Sequence, residues 1–155
     1  MLDLVFQNST ASKKYTSKFF EKILIGAIKK LKLSDQKIEV SVNLVGETKI
    51  KQLNNKFRHK NKVTDVLSFP MSDKAPRKIL NTRYKILDTD LGDIFICLSF
   101  AKNEAKSENI NIDKKLAQLT VHGFLHLLGY DHERSRKEAK KMFDIENKIL
   151  SKLKF

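Results

Sequence analysis

Three of the chain's four histidines lie between Val121 and His132, in a stretch that is otherwise largely apolar. His122 and His126 are four apart, which on a helix sets both rings on one face, one turn from each other. Gly129 follows three residues later and has no Cβ to oppose the left-handed conformation that ends a helix. The chain then reverses, and His132 comes round to face the other two. Apart from the histidines, every residue from Leu119 to Leu128 is apolar, Gly or Thr. The segment therefore reads as a buried helix in which two polar rings need a purpose. Three neutral imidazoles meeting from a helix and its following turn make an open site for Zn²⁺, one ion per chain, with the fourth position left to water.

The remaining composition decides between a structural and a catalytic ion. Structural zinc sites have four protein ligands and rely on cysteine. Cys97 is the only cysteine, and it sits in a strand that reads as core. His59 lies in a basic stretch that does not obviously close the shell. Three ligands plus water therefore favour a catalytic site, where zinc lowers the pKa of its water toward neutrality. A single cysteine also excludes a disulfide partner and points to the cytoplasm. Residues 1–7 lack the basic lead-in of a signal peptide, and no apolar run is long enough to cross a membrane.

With 155 residues the chain is expected to form a single domain, 1–155, with a real core. Its formal net charge is +13, from 31 Lys and Arg against 18 Asp and Glu. That balance favours a polyanionic partner, either nucleic acid or an anionic membrane, with a merely Lys-rich exterior as the competing reading. Residues 49–62 carry five Lys, one Arg and no acid, and residues 74–85 carry five more basic residues and no acid.

Periodicity gives the elements. Residues 2–7 read as a strand, 16–32 as an amphipathic helix, and 37–45 as a half-buried strand of alternating pattern. Residues 47–57 follow as a helix, 64–69 as a strand stopped by Pro70, and 91–98 as an inner strand. Residues 71–90 have little periodicity. Ser99 is the expected cap of a short helix to about residue 108, and Asp113 that of the histidine helix. A last helix is expected over 133–153, with Ala139, Met142, Phe143, Ile149, Leu150 and Leu153 inward. The fold class is α+β, a small mixed sheet of about four strands packed with about five helices.

The spacing His-x3-His-x5-His resembles the zinc signature of metzincin peptidases, but that signature puts a Glu directly after the first His as general base. Gly123 stands there instead. Asp131 and Glu133 flank the third histidine, either as a replacement base or as support for His132 and a solvated helix start.

Three segments together resemble the YbeY family of bacterial endoribonucleases. His122-Gly-Phe-Leu-His126-Leu-Leu-Gly-Tyr-Asp-His132 is similar to that family's H-G-x-L-H-L-x-G-Y-D-H. Leu53-Asn54, Arg58 and Thr64-Asp65-Val66-Leu67-Ser68-Phe69-Pro70 resemble its central block, and Leu91-Gly92-Asp93-Ile94 its L-G-D-I strand. The resemblance implies a metal-dependent ribonuclease specific for single strands, acting in the cytoplasm on ribosomal RNA. The implied roles are maturation of the small-subunit RNA 3′ end and ribosome quality control, with the small subunit as partner. It carries the zinc ligands over to His122, His126 and His132, makes His122 essential for activity, and makes Arg58 functional. A guanidinium at position 58 suits that role, since its planar fork grips phosphate through two hydrogen bonds. Two other readings compete: a metzincin-like zinc peptidase, and a non-catalytic ribosome-binding protein with structural zinc.

Overall fold

A computed structural model describes residues 1–71 and 90–155, and in them five helices pack on a four-stranded mixed sheet. The elements are β1 (Leu2–Asn8), α1 (Ser17–Lys30), β2 (Ile38–Val45), α2 (Glu47–Arg58), β3 (Val66–Pro70), β4 (Asp90–Cys97), α3 (Leu98–Glu108), α4 (Ile112–Leu127) and α5 (Arg136–Leu150). The class is α+β, as the alternation and periodicity of the chain imply. The strand order is β1-β2-β4-β3, with β1 parallel to β2, β2 parallel to β4, and β3 antiparallel to β4. Thus β4 is an inner strand, as its run of apolar residues requires.

The two faces of the sheet are filled unequally. On β2 the alternating residues Ile38, Val40, Val42 and Leu44 are all buried, and they join Phe20, Ile23, Leu24 and Ala27 of α1 in the main core. Residues one position out of phase point to the opposite face. There Val45, Leu67 and Cys97 form a smaller core with Ile50 of α2. No helix among the described residues is long and apolar enough to cross a membrane.

Helix α4 is central, packing on β3 and β4 and on α1, α3 and α5. Its most demanding residue is Lys115, 6% exposed, whose ammonium lies 2.7 Å from Glu104 and 2.9 Å from Glu108 of α3. Burial pulls this ammonium's pKa down, but the hydrogen bonds to Glu104 and Glu108 outweigh it, and Lys115 stays charged.

Three helix starts differ from the sequence reading. Asn111, not Asp113, caps α4, accepting from the Lys114 N–H at 2.7 Å. Asp113 instead accepts from the Tyr15 hydroxyl at 2.7 Å. Ser99 lies inside α3, which starts at Leu98, and its hydroxyl donates to Glu47 at 3.2 Å. The last helix begins at Arg136 because Ser135 caps it, accepting from the Glu138 N–H at 3.1 Å. At α4 and α5 several cap-forming residues sit within a few positions of one another, whereas α3 starts after Cys97 with no side-chain cap. Phe143 also departs from expectation: it is 61% exposed, while its neighbour Met142 is buried. The expectation of irregular structure over residues 71–90 falls, apart from its two end residues, outside the described residues.

Candidate metal centre

The last turns of α4 carry His122 and His126, and the way the helix stops brings in His132. Leu128 is the cap residue and Gly129 follows at φ +97°. The Gly129 N–H donates to the His126 carbonyl and the Tyr130 N–H to the Leu125 carbonyl, both at 3.0 Å. This bond pair is a Schellman ending, which a residue with a Cβ would strain. Asp131 then tightens the return: its Oδ1 accepts from the Glu133 N–H at 2.9 Å, and its Oδ2 lies 3.7 Å from Arg134 Nε.

The three rings converge. His122 Nε2 lies 3.1 Å from His126 Nε2, which lies 3.1 Å from His132 Nδ1. One ligand atom from each residue falls within 4.8 Å of the others. Ligands of a tetrahedral zinc with bonds of about 2.0–2.1 Å would stand roughly 3.4 Å apart. The donor set and its spacing therefore fit such an ion. Burial first, and then the neighbouring His122 and His132 rings, push the pKa of His126 down to about 4. Its imidazole is neutral at pH 7, with a lone pair to offer.

A fourth side chain completes the arrangement from α5. Glu146 Oε1 lies 2.6 Å from His122 Nδ1. A carboxylate there holds the proton on Nδ1 and leaves the Nε2 lone pair facing the other histidines. The sequence reading missed Glu146. The available signal was a lone acid on the inner side of α5, four residues after buried Met142 and three before buried Ile149.

Gly123 explains how close α4 comes to the sheet. A Cβ at this position would stand 2.9 Å from Ile94 Cγ2 and 3.0 Å from Ser68 Oγ. The Ser68 hydroxyl donates to the Gly123 carbonyl at 3.1 Å, pinning helix to strand. The residue after the first histidine thus faces β3 and β4, and the glutamate of the metzincin signature has no room there.

The histidines open on a cavity of about 490 Å³. Arg58, Asp131 and Glu133 line it with them, so all six residues singled out in the sequence meet in one place. Thr64, Asp65 and Ser68 of the segment quoted for the family resemblance form another wall. Arg58 is the last residue of α2. Buried Asn54 braces that helix end, its side chain donating to the Lys62 carbonyl at 3.0 Å and its own carbonyl accepting from the Lys60 N–H at 3.2 Å. The Arg58 guanidinium lies 3.8 Å from Glu133, an exposed pair worth little in stability. Lys49, Lys51 and Lys56 of the same helix and Lys60 and Lys62 after it are all exposed, so α2 and the loop that follows it present a run of positive charge to solvent.

Comparison with known proteins agrees with this architecture. A family model described as Endoribonuclease YbeY matches residues 4–154. The Endoribonuclease YbeY of Persephonella marina is 39% identical over 143 residues, covering 92% of this chain and 84% of that protein. That of a Sulfurihydrogenibium species is 36% identical over 150 residues, covering 97% and 91%. The solution structure of TM1509 from Thermotoga maritima matches with a TM-score of 0.63 at 29% identity, covering 96% of this chain and 87% of that one.

Proposed function

The chain belongs to the YbeY endoribonuclease family, and on that premise we propose that it cuts single-stranded ribosomal RNA with one zinc ion per chain. In this reading His122, His126 and His132 hold the ion, and Arg58 and His122 are the catalytic residues. The enzyme works in the cytoplasm on the small-subunit RNA 3′ end and in ribosome quality control. The observation that carries the reading is the convergence of three ring nitrogens on a cavity that also holds Arg58.

Zinc bound to the three histidines would supply a Lewis acid for a phosphoryl oxygen and an acidified water. The protein's own groups do the rest. Glu146 keeps the His122 proton at Nδ1. Arg58 exchanges its exposed partner Glu133 for a phosphate, whose two oxygens match the guanidinium fork. Asp131 accepts from the Glu133 N–H and lies near Arg134, which suits it to supporting the turn that carries His132, and Glu133 is the flanking carboxylate released at the mouth once Arg58 takes a phosphate. The lysines of α2 and the loop after it track the RNA backbone.

The direct test is metal content of the purified protein, paired with RNA cleavage with and without chelator. About one zinc per chain and chelator-sensitive cutting of single-stranded RNA are expected. A metal-free protein that cuts RNA equally well would overturn the assignment.

Two variants probe the supporting groups. Glu146→Gln should weaken zinc binding about 10- to 100-fold, the usual loss when a ligand histidine's partner is removed. Competition against a chromogenic chelator reads this, and an unchanged zinc affinity would remove Glu146 from the site. Arg58→Ala should keep its zinc but lose about 10²- to 10³-fold in turnover, comparable to loss of one transition-state donor. Wild-type kinetics would remove Arg58 from the mechanism. RNA affinity should also fall with added salt, with a slope of about −0.7 per phosphate contacted.

A further inference from the structure

A second cavity, of about 280 Å³, lies between α4 and α5 on the other side of His122. The two cavities share Asp65, Val66 and His122, so a single imidazole belongs to both walls. Its Nε2 faces the histidine cluster, and its Nδ1 faces Glu146, which lines the second cavity. Gln118, one turn before His122, and Asn147, next to Glu146, bring two side-chain amides to this space. Neither amide is hydrogen-bonded to another described residue. Phe143 stands at the same cavity with 61% of its surface exposed.

We propose that this cavity is a nucleobase subsite, taking one unpaired base of an RNA whose phosphate lies at the histidine cavity. The proposal rests on the endoribonuclease reading of the neighbouring site. Charge separates the two halves of the nucleotide. None of the residues lining the second cavity is Lys or Arg, and two, Asp65 and Glu146, are carboxylates. Phosphate is repelled there; on the other side of His122, where Asp65, Asp131 and Glu133 also line the wall, the zinc proposed at the histidines together with Arg58 would draw it.

The remaining chemistry suits a base. Two free amides offer donors and acceptors to the edge of any base. The Phe143 ring offers a stacking face, which is tolerant of sequence. Only an unpaired base can swing out of the stack to enter such a pocket. The subsite therefore supplies a physical source for discrimination against duplex RNA.

The test pairs Phe143→Ala with an abasic scan. Zinc-loaded protein is titrated with a 2′-O-methyl single-stranded oligomer by fluorescence anisotropy, with one abasic position moved along the strand. Phe143 is exposed, so its removal leaves the core intact. In the wild-type protein one abasic position should weaken binding about tenfold, and Phe143→Ala should weaken the intact oligomer by a similar factor. Combined, the two changes should cost little more than either alone, because they remove one contact. Phe143→Tyr, which keeps the ring, should bind like the wild type. Full additivity, or wild-type affinity in Phe143→Ala, would overturn the subsite. Failure of the endoribonuclease reading would look different: the wild-type protein would leave unmodified RNA uncut, whatever the anisotropy shows.

Discussion

His126→Ala is expected to leave a folded protein with no bound zinc and no measurable RNA cleavage. The ring lies in the middle of the cluster, 3.1 Å from a nitrogen of each neighbour. Two ligands, one on a helix end and one on the turn after it, cannot hold zinc as three do, so the metal content should drop from about one per chain to near zero. Turnover should fall by roughly 10³-fold or more, since metal-assisted attack and oxyanion stabilisation are both lost. The fold should survive, because α4 is held by Leu116, Val121, Phe124 and Leu125, all fully buried. Elemental analysis, helical circular dichroism and RNA cleavage on the same sample read all three. A fully loaded, active variant would contradict the ligand assignment.

Gly123→Glu should be the most damaging single change near the site, and it should not create a peptidase. The new Cβ would meet Ile94 Cγ2 at 2.9 Å and Ser68 Oγ at 3.0 Å. Ile94 is fully buried on an inner strand and is not free to yield. Overpacking costs about 1–3 kcal/mol even for an apolar group, and here a carboxylate would follow into the space between helix and sheet. A loss of more than about 4 kcal/mol, or roughly 10 °C or more in Tm, is expected. Thermal unfolding and a casein digest would check both parts. A variant as stable as the parent, or one that digests casein, would reopen the metzincin-like reading. A purely structural zinc in a non-catalytic ribosome-binding protein would instead show as unfolding on chelation with no RNA cleavage to lose.

The histidine cluster was legible because all its ligands lie within one helix and the turn that ends it. Spacing of four fixes two rings, and Gly129 fixes the direction of return. The α+β class was legible for a similar reason, since β2 alternates and α1 keeps a helical stripe over their whole lengths. Arg58 entered only through the family resemblance, because its approach to the histidines depends on how α2 packs against β4. Glu146 was hidden for the same kind of reason. It lies 24 residues from His122 on another helix, and nothing in a local pattern says which ring a helix-borne carboxylate will reach. The caps at Asn111 and Ser135 were ambiguous because Asn, Asp and Ser have nearly equal preference for that position.

The place of β4 has a consequence for how the protein comes off the ribosome. Among the described residues β3 pairs only with β4, and β4 enters the sheet between β2 and β3. While only residues 1–71 have emerged, β1 and β2 can join, but β3 has no strand to bond with. The surface on which α4 later lies is then incomplete. A nascent chain whose emerged part ends at Met71 should therefore expose Leu67 and the unpaired edge of β3 to protease, and it should become resistant only once Cys97 has also left the exit tunnel.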